Sequence, residues 1–126
     1  ASDPTETQEM VRSFLSSNKN IDGILALGSL GALPIVKLLK EIDVQKKIKL
    51  ATFDLSPQII DGIINGHILF ALDAQQYLQG YLPVVLMNLY IINRNTPAYK
   101  MLETGPSIIN IDNALEVLAL SKKGSR

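Results

Sequence analysis

The stretch of residues 48–80 constrains the fold of this chain most, because it reads as a strand, a helix and a second strand in one continuous unit. Its first apolar run, residues 48–53, stops at Asp54, and its second, residues 68–72, stops at Asp73. Two strands joined by one helix are parallel neighbours with a right-handed crossover. We therefore expect Asp54 and Asp73 at the same edge of the sheet, which is the edge where open α/β sheets bind ligands.

The helix within this unit has distinct start and stop signals. Ser56 is a favourable N-cap, and Pro57 fits the first helical position, where its missing N–H costs nothing. Isoleucines follow at the 3.6-residue spacing of one helical face. Gly66 then predicts the left-handed residue that closes a helix.

The rest of the chain continues the alternation of helices and strands. A first helix is predicted to start at Ser2 or Asp3 and to end near Ser17. A second helix begins no earlier than about Ala32, because Pro34 fits only in a first turn. The other predicted elements are a strand at 21–27, a long apolar helix at 76–94, an extended segment at 101–109, a short helix capped by Asn110 and a disordered tail at 121–126.

This order of elements predicts an α/β fold, a Rossmann-like three-layer α/β/α lobe with a small, mostly parallel sheet. We divide the chain into an α/β core (1–75), a long apolar helix after a crossing (76–100), a return crossing with a last helix (101–120) and a tail (121–126). A sheet of three or four strands is thin for a fold whose two faces must both be covered. The sequence therefore predicts a piece of a larger protein.

Bulk composition excludes several classes of function. The 126 residues, 47% of them apolar, fit one globular domain. Twelve basic and twelve acidic side chains balance, so no charge pattern predicts binding to nucleic acid or to an anionic membrane surface. The absence of cysteine excludes disulfides and thiolate metal sites. Residues 1–9 are polar and do not read as a signal peptide.

No residue pattern predicts catalysis, a metal site or a cofactor. The only histidine, His67, lies in a turn, where a solvated residue is the simpler interpretation and a general base the alternative. Gly28 and Gly31 follow a strand but are spaced wrongly for a dinucleotide or phosphate loop. They predict a tight turn, with close approach to a ligand as the alternative.

Polar side chains cluster near the predicted strand ends and the first helix start. Carboxylates and amides exchange hydrogen bonds with adjacent hydroxyls, and such a site discriminates against molecules that lack those hydroxyls. An aromatic side chain such as Tyr77 suits the apolar face of a sugar. The alternative is that the aspartates cap helices and turns. The residues in this set are Asp3, Ser29, Asp54, Asp73, Gln75 and Gln76.

Several short motifs occur along the chain in a specific order. They are DPT at 3–5, EMV at 9–11, LGS at 27–29, FDLSP at 53–57, LFALD at 69–73, YLQGYL at 77–82, TGP at 104–106 and DNA at 112–114. Together they resemble the C-terminal half of type I periplasmic sugar-binding proteins of bacterial ABC importers, of the ribose-binding kind. The resemblance covers nearly the whole chain and implies two Rossmann-like lobes, joined by three crossing segments, that close on a sugar.

The same resemblance implies roles for particular residues. It implies that Asp54 hydrogen-bonds the hydroxyl groups of the sugar and that the turn of Gly28 and Ser29 lines the cleft. Asp73 and Gln75 complete the predicted sugar-binding set. It also implies that segments 73–77 and 103–106 are two of the three crossings between the lobes. The predicted hinge residues are Gln76, Tyr77, Thr104 and Gly105.

This chain departs from the family pattern at the first crossing. Related proteins usually read Asp-Gln-Gln-Pro-Tyr there, whereas this chain reads Asp73-Ala74-Gln75-Gln76-Tyr77. The first glutamine, often a ligand contact, is Ala74, which puts the usual sugar specificity in doubt. Either Gln75 or Gln76 is the candidate to replace the ligand contact that Ala74 cannot make.

A second departure is the missing N-terminal lobe, together with the opening strand of the C-terminal lobe. In the family, the helix after the first crossing packs on the other lobe, so the helix at 76–94 is expected to lack its partner. Roughly ten apolar side chains at about 1.5 to 3 kcal/mol each would favour association. We expect this chain to form a homodimer through that helix, or to swap it.

The resemblance predicts the substrate-binding component of a sugar ABC importer, which captures a monosaccharide or polyol and works with a membrane permease. Such a protein is periplasmic or otherwise extracytoplasmic, either lipid-anchored or secreted. The alternative is the effector-binding domain of a transcription regulator of the lactose-repressor type, which shares the fold. A signal-transduction module that binds through the apolar helix is a third interpretation, and an enzyme is the last.

Overall fold

The computed structural model describes residues 3–126, so Ser2 and its predicted role lie outside the described range. Helices and strands alternate from the start, as the sequence predicts. The elements are α1 (Pro4–Ser17), β1 (Gly23–Ala26), α2 (Ser29–Glu41), β2 (Lys49–Phe53), α3 (Pro57–Ile64), β3 (Phe70–Asp73), α4 (Gln76–Asn93), β4 (Ser107–Ile109) and α5 (Ala114–Lys122).

The strands form one sheet in the order β1-β2-β3-β4. The β1–β2 and β2–β3 pairs are parallel, and β4 joins β3 in the antiparallel direction. Asp54 follows β2 directly and Asp73 ends β3, so the two aspartates lie at the same edge of the sheet. The predicted α/β class with a small, mostly parallel sheet is therefore confirmed.

One face of the sheet is covered by helices. Ala26, Thr52, Ala71 and Ile109 lie in register across the strands and are all buried. The helix α2 packs on β1 and β2, and α3 packs on β3. Residues of the other face include Leu25 and Ile108, which are 53% and 57% exposed. The described residues therefore complete one of the two helical layers of a three-layer fold.

The helix α3 has the local signals that the sequence predicts. The Ser56 hydroxyl accepts a hydrogen bond from the backbone N–H of Ile59 at 3.2 Å, and Pro57 occupies the first turn. Gly66 adopts a left-handed φ of 71°, which suits a residue without a Cβ. Both predictions for the ends of this helix are confirmed.

The start of α2 differs from the prediction. The helix begins at Ser29 rather than near Ala32, because Gly28, at φ 111°, turns the chain so that its carbonyl accepts the N–H of Gly31 and Ala32. Pro34 therefore lies within the helix and removes one backbone bond, a change that costs about 3 kcal/mol. Burial of Ala32, Pro34, Ile35, Leu38 and Leu39 on one side of α2 offsets that cost.

The chain after β4 also differs from the prediction. Asn113 rather than Asn110 is the residue before α5, because the Asn110 side chain instead accepts the N–H of Asp112 within a turn. The last helix continues to Lys122, so the predicted disorder is wrong for the first part of 121–126. Arg126 is held by contacts described below.

The helix α4 stands apart from the rest of the molecule. None of its residues is buried, and it makes no extensive contact with another element. Ile91 and Ile92 near its end are 71% and 70% exposed. Between residues 3 and 126, no helix is long and apolar enough to cross a membrane.

Candidate functional site

The carboxyl edge of the sheet has unusual backbone geometry. Gly28, Asp54 and Gln75 lie within two residues of the ends of β1, β2 and β3, and each adopts a left-handed φ, of 111°, 63° and 56°. This conformation is uncommon for residues other than glycine, and it clusters at sites where the chain must direct a side chain specifically. The three left-handed residues therefore make this edge of the sheet the candidate functional site.

Asp54 is the centre of a small polar cluster at this edge. Its backbone N–H donates to the carbonyl of Leu72 at 2.9 Å, which fixes it beside β3. Its Oδ1 accepts a hydrogen bond from Nε2 of Gln76 at 2.7 Å. Its Oδ2 lies 3.7 Å from the point where a Cβ on Gly28 would be. The structure thus brings together Asp54, Gly28 and Gln76, and we name these three residues the edge cluster.

Asp73 has a different environment, although it lies at the same edge. Because side chains alternate along a strand, Asp73 points to the covered face with Ala71, and it is 0% exposed. Its Oδ1 accepts the N–H of Gln75 at 2.8 Å, and its Oδ2 pairs with Nε of Arg126 at 2.9 Å. Arg126 also donates to the Ser107 hydroxyl at 3.2 Å. In this structure the Asp73 carboxylate is enclosed by protein partners and does not share them with Asp54.

The two predicted crossing segments contact each other closely. The Gln75 side chain donates to the carbonyl of Thr104, and the Thr104 hydroxyl donates to the carbonyl of Ala74 at 3.1 Å. A Cβ on Gly105 would lie 2.8 Å from the carbonyl oxygen of Asp73. Of the predicted sugar-binding set, Gln75 therefore connects the two segments that are predicted to be crossings and does not join the edge cluster.

The other predicted residues lie around this edge in different roles. Ser29 begins α2 and, with Pro4 and other residues of the two helix starts, lines a groove of about 350 Å³. Tyr77 is exposed and stacks on Tyr81 with ring centroids 6.2 Å apart. Asp3 accepts the N–H of Thr5 at 2.9 Å and caps α1, which is the capping role left open by the sequence.

His67 lies at the opposite end of the strands. It is half-buried and lines a groove of about 460 Å³ with Lys49 and Asn65. Burial, and secondarily the charge of Lys40, lower the pKa of His67 below its usual value. Across residues 3–126 no three His, Asp or Glu side chains gather as a metal site would require.

Sequence reasoning missed two contacts at this edge. The sequence places Gln76 among the polar residues near the strand ends and at the hinge, but it does not predict that the Gln76 amide donates to Asp54, a pairing that depends on how α4 leaves the sheet. The sequence predicts a disordered tail that includes Arg126, and nothing in the local sequence indicates that Arg126 pairs with Asp73. Both contacts join residues that are far apart along the chain, so local patterns do not reveal them.

The mostly parallel sheet, its crossover helices and the contacting segments 73–77 and 103–106 at its carboxyl edge are the architecture of one lobe of a periplasmic-type binding protein. The family model described as "Periplasmic binding protein domain" matches residues 1–95, and this chain belongs to that family. The family is one of binding proteins, and membership implies a location outside the cytoplasm.

Several known proteins are similar to this chain over nearly its whole length. A carbohydrate transporter from Acidothermus cellulolyticus 11B, solved in complex with myo-inositol, is 30% identical, with a TM-score of 0.87 over 98% of this chain and 43% of its own. The xylose/arabinose-binding protein XylF of Sulfolobus acidocaldarius is 27% identical over 94% of this chain and 31% of its own length. A solute-binding protein of an ABC transporter from Agrobacterium vitis, bound with α-D-tagatopyranose, shares the fold at 19% identity, with a TM-score of 0.78 over 94% of this chain and 39% of its own.

The chain thus spans less than half the length of these relatives. Their shared architecture confirms the resemblance drawn from the sequence motifs.

Proposed function

We propose that this chain forms one side of the ligand cleft in the solute-binding protein of an ABC importer, and that the ligand is a monosaccharide or a polyol. The observation that carries the proposal is the position of Asp54. It stands at the carboxyl edge of parallel strands, in a left-handed conformation, beside the bare backbone of Gly28. A carboxylate at this edge can accept hydrogen bonds from the hydroxyl groups of a ligand.

The relatives support this ligand class. The 30% identical carbohydrate transporter was solved with myo-inositol, and the curated relative is named for xylose and arabinose. These relatives are a carbohydrate transporter and a sugar-binding protein, which favours an importer over an effector domain of the lactose-repressor type. The balanced charge of the chain gives no support for a nucleic acid partner.

Further parts of the proposal follow from an importer role. The partner is a membrane permease, and the protein works in the periplasm or outside the cell, where it is lipid-anchored or secreted. We propose a binding role for this site, because the family is one of binding proteins and the edge cluster offers a carboxylate, an amide and the bare backbone of a glycine for contact with hydroxyl groups.

Changing Asp54 to Asn in the full-length protein tests the site. The amide keeps the size of the side chain but removes the charge, so sugar affinity should fall about 10- to 100-fold, which corresponds to losing hydrogen bonds to a charged group. Isothermal titration with myo-inositol, D-xylose and L-arabinose measures the change. Asp61→Asn is the control, because Asp61 is an exposed aspartate on α3.

Two outcomes would contradict the proposal. If the unmodified protein binds none of these polyols, the ligand class is wrong. If it binds one and Asp54→Asn leaves the affinity as unchanged as Asp61→Asn does, the carboxylate lies outside the binding site.

We further propose that the exposed side of α4 is an interface, and that a second copy covers it when this chain is produced alone. Large apolar side chains on this helix are half or more exposed, among them Tyr81, Val84, Met87 and Ile91. Each such side chain contributes about 1.5 to 3 kcal/mol on burial. A free helix with this surface is expected to pair with an equal surface.

Light scattering of this chain at micromolar concentration should therefore give the mass of a dimer. Met87→Glu and Ile91→Glu together should shift it to a monomer, since each places a charge in the interface. Leu115→Glu, an equally exposed position on α5, should leave the dimer intact. A monodisperse monomer for the unmodified chain would contradict the dimer.

A further inference from the structure

The two glutamines at the first crossing point in different directions. Gln75 is left-handed, and α4 begins at the next residue, Gln76. The Gln75 amide turns back to Thr104 of the return crossing, whereas the Gln76 amide reaches Asp54. The left-handed residue between β3 and α4 thus separates a hinge contact from a contact at the edge cluster.

Gln76 leaves hydrogen-bonding capacity for a ligand. One N–H of its amide is used by Oδ1 of Asp54 at 2.7 Å, and the residue is otherwise exposed. An amide has a second N–H and a carbonyl oxygen with two lone pairs. Next to the Asp54 carboxylate, Gln76 therefore offers a ligand one N–H as a donor and its carbonyl oxygen as an acceptor.

Asp54 offers a complementary set of groups. Its Oδ1 is partly occupied by Gln76, while its Oδ2 faces Gly28, where no side chain blocks approach. A carboxylate accepts hydrogen bonds only, so it selects a hydroxyl that donates. A second, neighbouring hydroxyl would meet the Gln76 amide, which both donates and accepts.

On these grounds we propose that Gln76 is a specificity-determining residue: its amide positions the Asp54 carboxylate and contacts the ligand hydroxyl adjacent to the one that Asp54 binds. The inference rests on the proposed function and adds that the ligand presents two adjacent hydroxyls to this edge. A site with such paired polar groups rejects analogues that lack either hydroxyl, because its own groups would then be left unpaired.

The first test uses the full-length protein with Gln76→Ala and isothermal titration with whichever of myo-inositol, D-xylose and L-arabinose binds most tightly. Loss of one neutral hydrogen bond should weaken binding about 3- to 12-fold. Asn20→Ala, an exposed amide in the loop before β1, is the control and should change affinity less than about twofold. An equal, negligible effect of both variants would overturn the inference.

The second test separates a ligand contact from a purely structural role. Monodeoxy analogues of the bound sugar are titrated into the unmodified protein and into Gln76→Ala. If Gln76 contacts a hydroxyl, the loss of affinity caused by removing that hydroxyl should largely disappear in the variant. If every analogue keeps the same relative loss in both proteins, Gln76 does not touch the ligand and the inference is wrong.

Gln76→Glu gives a third, independent readout. It places a second carboxylate against the carboxylate of Asp54, and the two negative charges repel each other. One of the two groups therefore takes up a proton at a higher pH than a lone carboxyl group does, and the protonated group can donate a hydrogen bond as the glutamine amide does. Affinity relative to the unmodified protein should therefore be lowest at pH 8 and rise as the pH falls to 5. A ratio that does not change with pH would contradict the contact between the two side chains.

These experiments distinguish two kinds of failure. If Asp54→Asn weakens binding as predicted and the Gln76 variants do not affect it, only the specificity role of Gln76 is wrong. If the unmodified protein binds none of the polyols, the proposed function fails and this inference fails with it.

Discussion

Changing Arg126 to Ala should lower the free energy of unfolding by about 3 kcal/mol. Arg126 is the charged partner of Asp73, whose carboxylate is 0% exposed, and removing one partner of a buried pair leaves an uncompensated charge. The value lies at the low end of the range for buried pairs because the Arg126 side chain is 27% exposed. Urea denaturation of the full-length protein measures the change.

The chain contains a matched control for this prediction. Arg12 pairs with Glu41 at 2.8 Å, almost the same distance as the 2.9 Å of Arg126 and Asp73. Both side chains of the Arg12 pair are more than two-fifths exposed, so Arg12→Ala should cost less than about 1 kcal/mol. Equal effects of the two arginine changes would contradict the importance of burial.

A second variant tests whether the effect comes from the pair itself. Asp73→Asn removes the buried charge but keeps an oxygen that can accept the N–H of Gln75. The double change of Asp73→Asn with Arg126→Ala should therefore cost less than the sum of the two single changes. Strict additivity would mean that Arg126 stabilises the fold through packing alone.

Changing Gly105 to Ala should destabilise the protein by about 2 to 4 kcal/mol, the second large effect that we expect. The new Cβ would lie 2.8 Å from the backbone oxygen of Asp73 and 3.4 Å from the Cα of Ala74. Backbone atoms cannot move aside as a flexible side chain does, so the two crossings must separate. The hydrogen bonds that Thr104 and Gln75 make between the crossings would then weaken, at about 1 kcal/mol each.

Gly80→Ala is the control for this change. Gly80 lies within α4, and nothing is within 4 Å of the point where its Cβ would be. Alanine is the better helix former by about 0.5 to 1 kcal/mol, so the same substitution should stabilise the helix there. Thermal unfolding measures both variants, and a Gly105→Ala protein as stable as the unmodified one would show that the crossings are not in close contact.

Local signals in the sequence predicted most of the secondary structure correctly. The cap of α3 at Ser56, the left-handed Gly66 and the strand-helix-strand unit around Asp54 depend on neighbours along the chain, so their effects can be read from a short window. Predictions failed where contacts between distant parts of the chain determine the local structure. Burial of one side of α2 offsets the cost of Pro34 inside the helix, and the covered face of the sheet encloses Asp73.

The sequence by itself determined the fold class, the family resemblance and the placement of two aspartates at one edge of the sheet, because all three follow from short-range periodicity and motif order. Only the tertiary structure decided that Asp54 joins Gly28 and Gln76 whereas Asp73 pairs with Arg126. The physical reason is that side-chain alternation along β3 directs the Asp73 carboxylate to the covered face, whereas Asp54 follows β2 in its own left-handed conformation. The side chains that pair with these carboxylates, Gln76 and Arg126, come from segments more than twenty residues away.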